Sequence, residues 1–152
     1  MSVRRGVATL LTSLFLAGAA PVAAQEPDFA PALGINLAEM ERTGRGVHYR
    51  DLTLGEGLSV GNGFTVTIHY TGWLPDGTQF ETSRLDNEAV TFRLGDGKVI
   101  RGWEEGIRGM RPGGVRQLVV PARMAYGARG LPPIIPPNGT LVFEIELVST
   151  RR

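Results

Sequence analysis

Residues 99–110 read VIRGWEEGIRGM, and they break the pattern of the sequence around them. Trp103, Ile107 and Met110 fall at helical spacing, with Glu104 and Glu105 early and Arg108 and Arg111 late, the order that the helix dipole favours. The spacing predicts a helix of about two turns with one apolar stripe. On both sides of it the period is two. FTVTIHY (64–70) puts Phe64, Val66, Ile68 and Tyr70 on one face and Thr65, Thr67 and His69 on the other. TLVFEIELV (140–148) turns Leu141, Phe143, Ile145 and Leu147 inward and Glu144 and Glu146 toward water. VHYRDLTL (47–54), VTFRL (90–94) and VRQLVV (115–120) are short and rich in β-branched residues, and LPDGTQ (74–79) and RPGGV (111–115) read as turns. A sheet that is apolar on one face has to be covered, and 99–110 is the one substantial helix within this region. The expected fold class is α+β, with about five mainly antiparallel strands wrapped over one short helix.

The first 24 residues are of another kind. Arg4 and Arg5 precede the apolar run VATLLTSLFLAGAA, and Pro21 and the triplet Val22-Ala23-Ala24 follow it. This layout is that of a secretory signal peptide cleaved near Ala24, which predicts a periplasmic or secreted protein. The alternative, a retained membrane anchor, meets the difficulty that the run is shorter than the roughly 20 residues of a span and is broken by Pro21. Cleavage removes two of the 16 basic residues and none of the 15 acidic ones, so the mature chain is close to neutral. No strongly basic field remains to attract nucleic acid or anionic lipid, and stable membrane insertion after cleavage is not expected. There is no cysteine, so an exported chain of this composition depends on core burial and not on disulfides.

Residues 25–34 (QEPDFAPALG) carry two prolines and little periodicity and read as a mobile lead. In INLAEMERTG (35–44) Asn36 is placed as a helix N-cap with Glu39 as its reciprocal partner, and Ile35 and Met40 are spaced as a hydrophobic staple. These predict a short helix ending near Gly44, which either caps the domain or pairs two chains. The expected divisions are therefore 1–24 signal, 25–46 extension and 47–150 domain.

Common catalytic constellations are missing. The two histidines, His48 and His69, have no metal-ligand spacing, and His69 is expected on the solvated face of its strand. LGDGKV (94–99) lacks the phosphate-loop pattern and reads as a turn. No nucleophile elbow is present, and Glu104 and Glu105 are adjacent on a helix and point apart. Neither a metal nor a cofactor is expected. What stands out is a set of aromatic and branched apolar residues at element ends and in loops: Tyr70, Phe80, Val99, Ile100, Trp103, Tyr126, Ile134, Ile135 and Phe143. Core packing accounts for any one of them, while together they describe an apolar pocket with a few polar handles.

Three stretches in order, VTIHYTGWLPDGTQFETS (66–83), VIRGWEEGIRGM (99–110) and AYGARGLPPIIPPNGTLVFEIEL (125–147), resemble the FKBP-type peptidyl-prolyl cis/trans isomerases of the exported bacterial type, over about Tyr49 to Val148. The resemblance implies a half-open antiparallel sheet curled around the short helix, with an apolar cleft between them. It implies Trp103 as the floor of that cleft, Tyr70, Phe80 and Phe143 as its walls, Val99 and Ile100 as its rim, and the Ile100 N–H as a donor to ligand. Tyr126 would present a hydroxyl from the long loop, Ile134 and Ile135 would hang over the cleft, and Leu131 would vary the loop tip. Glu81 stands where the family usually has aspartate, and Val90 where a phenylalanine is common. The implied partners are proline-containing unfolded or partly folded polypeptides, with macrolide inhibitors as further ligands. The implied activity is rotation of Xaa-Pro bonds during folding of exported proteins. The alternative is a peptide-holding module that keeps the cleft without turnover.

Overall fold

In the computed structural model the described residues are 25–152; the expected signal sequence and its expected cleavage site lie outside them. The elements are β1 (Glu41–Arg42), β2 (His48–Thr53), β3 (Thr65–Trp73), β4 (Gln79–Thr82), β5 (Val90–Arg93), α1 (Arg101–Gly106), β6 (Val115–Val120) and β7 (Leu141–Arg151). They form one antiparallel sheet in the order β1-β2-β6-β7-β3-β4, with β5 also on β3. The sheet has seven strands, not about five. The two additions are β1, of two residues, and β4, which occupies part of what reads as a turn; both are too short to show a period of their own. β4 pairs with the end of β3 (Thr71 opposite Thr82) and β5 with its start (Ile68 opposite Val90), so one edge of β3 is shared between them.

The long central pair β3·β7 follows the alternation of its sequence. Phe64, Val66, Ile68 and Tyr70 are buried with Leu141, Phe143, Ile145 and Leu147 in one core beneath α1. Glu144 and Glu146 are half-buried and not fully in water, and Glu146 pairs with Arg84 at 2.7 Å.

Helix α1 lies close on the sheet because it presents glycine to it. A Cβ at Gly102 would strike the Val120 side chain, and one at Gly106 would come within 2.6 Å of Leu118 Cδ1, both on β6. These two positions, four apart, form the face that touches β6. Trp103, Ile107 and Met110 are then all buried. Both ends of the helix are tied by side chains. The buried Glu104 carboxylate accepts the Gly95 N–H at 2.5 Å and the Gly97 N–H at 3.1 Å, which fastens the 94–99 turn to α1. At the other end, Arg116 of β6 donates to the carbonyls of Gly106 and Arg108, each at 2.9 Å, and to both oxygens of Asp51. A helix of six residues makes few internal bonds, so such ties supply much of its definition.

The segment 25–46 differs from its expected form. Instead of a helix reaching Gly44 there are two 3₁₀ turns, Pro31–Leu33 and Leu37–Glu39, and then β1. The Asn36 side chain does cap, accepting the Ala38 N–H at 3.2 Å, and Ile35 and Met40 do pack in one cluster. Nor is the lead a detached tail. Phe29, Leu33, Ile35 and Leu37 pack with Met40, Val119 and Val142 on the far face of the sheet, and Gln117 donates to the Leu33 carbonyl at 2.8 Å. The outward-facing Val119 and Val142 are apolar, and the extension is what keeps them from water.

Candidate functional site: an aromatic cleft between α1 and the sheet

Where α1 meets the open side of the sheet lies a cleft of about 450 Å³, lined by Tyr70, Phe80, Glu81, Gly97, Lys98, Val99, Ile100, Trp103, Tyr126 and Phe143. Each wall comes from a different element: β3 gives Tyr70, β4 gives Phe80 and Glu81, α1 gives Trp103, and β7 gives Phe143. The aromatics lock one another. Trp103 meets Tyr70 edge-on with ring centres 4.7 Å apart and Phe143 at 5.4 Å, and Phe143 meets Phe80 at 5.8 Å. Edge-to-face pairs of this kind add about 0.5–1.5 kcal/mol each beyond area burial and hold the rings in place. Gly72 makes the room, since a Cβ there would come within 2.6 Å of Phe80 Cζ and 2.9 Å of Phe143 Cε1.

The floor is dry. Trp103 is 8% exposed, and its indole N–H has no hydrogen-bond partner among the described residues. The polar handles are few. The Ile100 N–H, one residue ahead of α1, has no acceptor among the described residues. Burial, and after it the neighbouring Glu81 carboxylate, raise the Tyr70 phenol far above its ordinary pKa, and burial and then Glu81 raise Tyr126 as well. Both phenols are therefore protonated donors at neutral pH, grouped around one carboxylate.

The residues singled out in the sequence do not all meet here. Leu131, Ile134 and Ile135 line an adjoining hollow of about 190 Å³ that shares Phe80, Glu81 and Tyr126 with the cleft. The two isoleucines part company: Ile134 is 51% exposed, while Ile135 is 1% exposed and belongs to the core. Reciprocal backbone bonds between Leu131 and Ile135, both 2.9 Å, turn the loop back on itself and carry Ile135 inward, so only Ile134 overhangs. Val90 lines neither hollow. It lies in β5 opposite Ile68 and packs against the core from its margin. His69 is not simply solvated: its Nδ1 is 3.0 Å from Ser83 Oγ, which also accepts the Tyr70 N–H at 2.9 Å.

Lys98 and Gly97 in the cleft lining went unnoticed in the sequence, and nothing in a Gly-rich turn marks which side it shows. Phe92 was missed as well. It stacks on Trp103 with centres 6.2 Å apart and supports the floor from behind. Its signal was present, since Val90 and Phe92 lie two apart on one strand face.

Comparison with known proteins agrees with this geometry. The family model for FKBP-type peptidyl-prolyl cis-trans isomerase matches residues 57–148. A FK506-binding protein of Neisseria meningitidis serogroup A is 49% identical over 99 residues, covering 65% of this chain and 91% of that protein. The mouse peptidyl-prolyl cis-trans isomerase FKBP2 is 49% identical over 90 residues, which cover 59% of this chain and 64% of that one. Among solved structures, FkpA from Escherichia coli superposes with a TM-score of 0.68 at 38% identity, over 74% of this chain and 51% of FkpA. AtFKBP13 gives the same TM-score at 34% identity, over 74% of this chain and 99% of its own. The chain belongs to the FKBP-type peptidyl-prolyl cis-trans isomerase family.

Proposed function

We propose that this protein accelerates rotation about Xaa-Pro peptide bonds of exported polypeptides, and that the cleft between α1 and the sheet does so without metal or cofactor. The observation that carries this reading is the buried, interlocked aromatic floor formed by Trp103, Tyr70 and Phe143. The Xaa-Pro bond turns slowly because amide resonance gives it partial double-bond character, with a barrier of about 18–20 kcal/mol. Twisting the bond removes that resonance and much of the carbonyl's charge separation. Water solvates the planar, more dipolar amide better, so an apolar cleft favours the twisted one, and each ~1.4 kcal/mol of that difference is tenfold in rate. The proline ring would sit on Trp103 between Tyr70, Phe80 and Phe143, and the free Ile100 N–H would hold a substrate carbonyl. The Tyr126 hydroxyl would face the site from the long loop. A macrolide of the kind named in the FK506-binding relatives would occupy the same cleft.

Export rests on the layout of residues 1–24 and places the clients in the periplasm or outside the cell. Two measurements address this reading. N-terminal sequencing of protein recovered from an expressing bacterium is expected to begin at Gln25 in the extracytoplasmic fraction; an intact N-terminus in the cytoplasm would remove export. Refolding of a secreted protein limited by proline isomerisation is expected to speed up with catalytic amounts of the protein. Binding of that client without any change in rate would instead make the chain a peptide holder.

A further inference from the structure

The ion pairs among the described residues are Arg84–Glu146, Arg108–Glu105 and Arg116–Asp51. Lys98, Arg101, Arg123, Arg45 and Arg42 take part in none of them, and all five are exposed. They also form a row. Lys98 lines the cleft. Arg101 opens α1 next to the rim residue Ile100 and donates to the carbonyl of Arg123 at 3.2 Å. Arg123 donates to the carbonyl of Arg45 at 2.8 Å, and the guanidinium groups of Arg123 and Arg42 both crowd Gly46. Arg42 and Arg123 then border a second hollow of about 300 Å³ with an apolar lining that includes Phe29, Leu37, Val119 and Pro121.

The guanidinium groups of Arg101 and Arg123 hydrogen-bond to main-chain carbonyls, which accept a bond but carry no countercharge. The row therefore keeps its positive charge, and Arg42 and Arg123, whose guanidinium groups meet at Gly46, repel one another. Glu81 at the cleft end and Glu26 in the second hollow are the acidic residues lining these two spaces. In a chain that is nearly neutral as a whole, a cationic row leading out of a peptide cleft has a complementary occupant: an acidic stretch of the polypeptide whose proline is in the cleft.

We infer that the row from Lys98 to Arg42 is a binding track for acidic residues flanking the substrate proline, and that it makes the protein selective for acidic clients. The inference rests on the cleft being the isomerase site. The cleft takes the proline and the track takes the flank; a flank of six residues reaches about 20 Å when extended.

The test compares Leu-Pro peptides with six-residue flanks containing three Glu or three Gln, placed before or after the proline. Both turnover and binding by fluorescence anisotropy are read. For the acidic flank on one side, kcat/KM is expected to be on the order of tenfold above that of the Gln peptide at low salt, and the difference is expected to collapse at high salt. Arg42→Glu with Arg123→Glu is expected to abolish or invert the Glu-to-Gln ratio. The ratio is taken within each variant, so a general loss of activity cancels. Arg93→Glu with Arg151→Glu, the same charge change at the start of β3, is expected to leave it standing. Equal rates and affinities for Glu and Gln flanks in the wild type would overturn the track, as would an equal response to both double variants. Binding to vesicles of anionic lipid that is lost in Arg42→Glu/Arg123→Glu, with no preference among peptides, would assign the row to a membrane surface and overturn it too. If no peptide is turned over, the isomerase reading fails on its own, and the anisotropy ratio still decides whether the track exists.

Discussion

Arg116 donates to the carbonyl of Gly106, 2.9 Å away, and so ties the last turn of the helix that carries Trp103 to the middle of the sheet. Its side chain is 7% exposed, whereas that of its partner Asp51 is 28% exposed. The two should therefore not respond alike. Arg116→Ala leaves two helix-end carbonyls and a carboxylate without their donor and is expected to cost about 3 kcal/mol. Asp51→Asn keeps the arginine's bonds to the helix, and as a half-open pair it is expected to cost about 1 kcal/mol or less. Urea unfolding of the two variants gives the order; equal losses would show that the helix-end bonds contribute nothing.

Gly102 and Gly106 set how near α1 stands to β6. Alanine is the better helix former by about 1 kcal/mol, so propensity alone predicts that Gly102→Ala stabilises. The Val120 side chain occupies the space that the new Cβ needs, and the expected outcome is a loss of about 1–3 kcal/mol. Combining it with Val120→Ala should recover part of that loss, so that the double variant is more stable than the sum of the single changes. Simple additivity in denaturant melts would mean that the helix shifts freely on the sheet.

The chain has three tyrosines, and all three phenols are held above their ordinary pKa: Tyr49 first by its hydrogen bond to Glu41, and Tyr70 and Tyr126 first by burial and then by Glu81. A raised folded-state pKa means that the native state binds the proton more tightly. The corresponding stability is complete below pH 10 and is lost as pH rises from there toward the folded values. Phenolate absorbance is therefore expected to appear only above pH 10 and to rise together with unfolding. Glu81→Gln removes the shared carboxylate, and two of the three phenols should then titrate earlier while Tyr49 stays in place. No movement in that variant would separate Glu81 from the tyrosines.

Much of this was readable in the sequence, and the parts that were not have physical reasons. β3 and β7 run nine and eleven residues, long enough for alternation to name the buried face, and Trp103, Ile107 and Met110 placed the helix stripe even though α1 itself has six residues. β4, with four residues, carries Phe80 and Glu81 but no period. In β6, Leu118, Val119 and Val120 are all buried, because the extension covers the face that alternation would assign to water. Ile134 and Ile135 looked equivalent, since a proline-rich loop has no repeating face; the backbone bonds of Leu131 to Ile135 separate them. The tyrosines around Glu81 come from β3 and the long loop, 56 positions apart in numbering (70 and 126), and only folding brings them to one carboxylate.

We propose that the apolar cleft itself lowers the barrier of the Xaa-Pro bond. The direct measurement is the cis-to-trans rate of a short Leu-Pro peptide with the purified protein, alongside Trp103→Leu and Glu81→Asp. Clear acceleration by the wild type is predicted, with a loss in Trp103→Leu that falls on kcat as well as on KM, and with Glu81→Asp still active. A cleft that binds the peptide without changing its rate would show instead that it holds its ligand and does not catalyse.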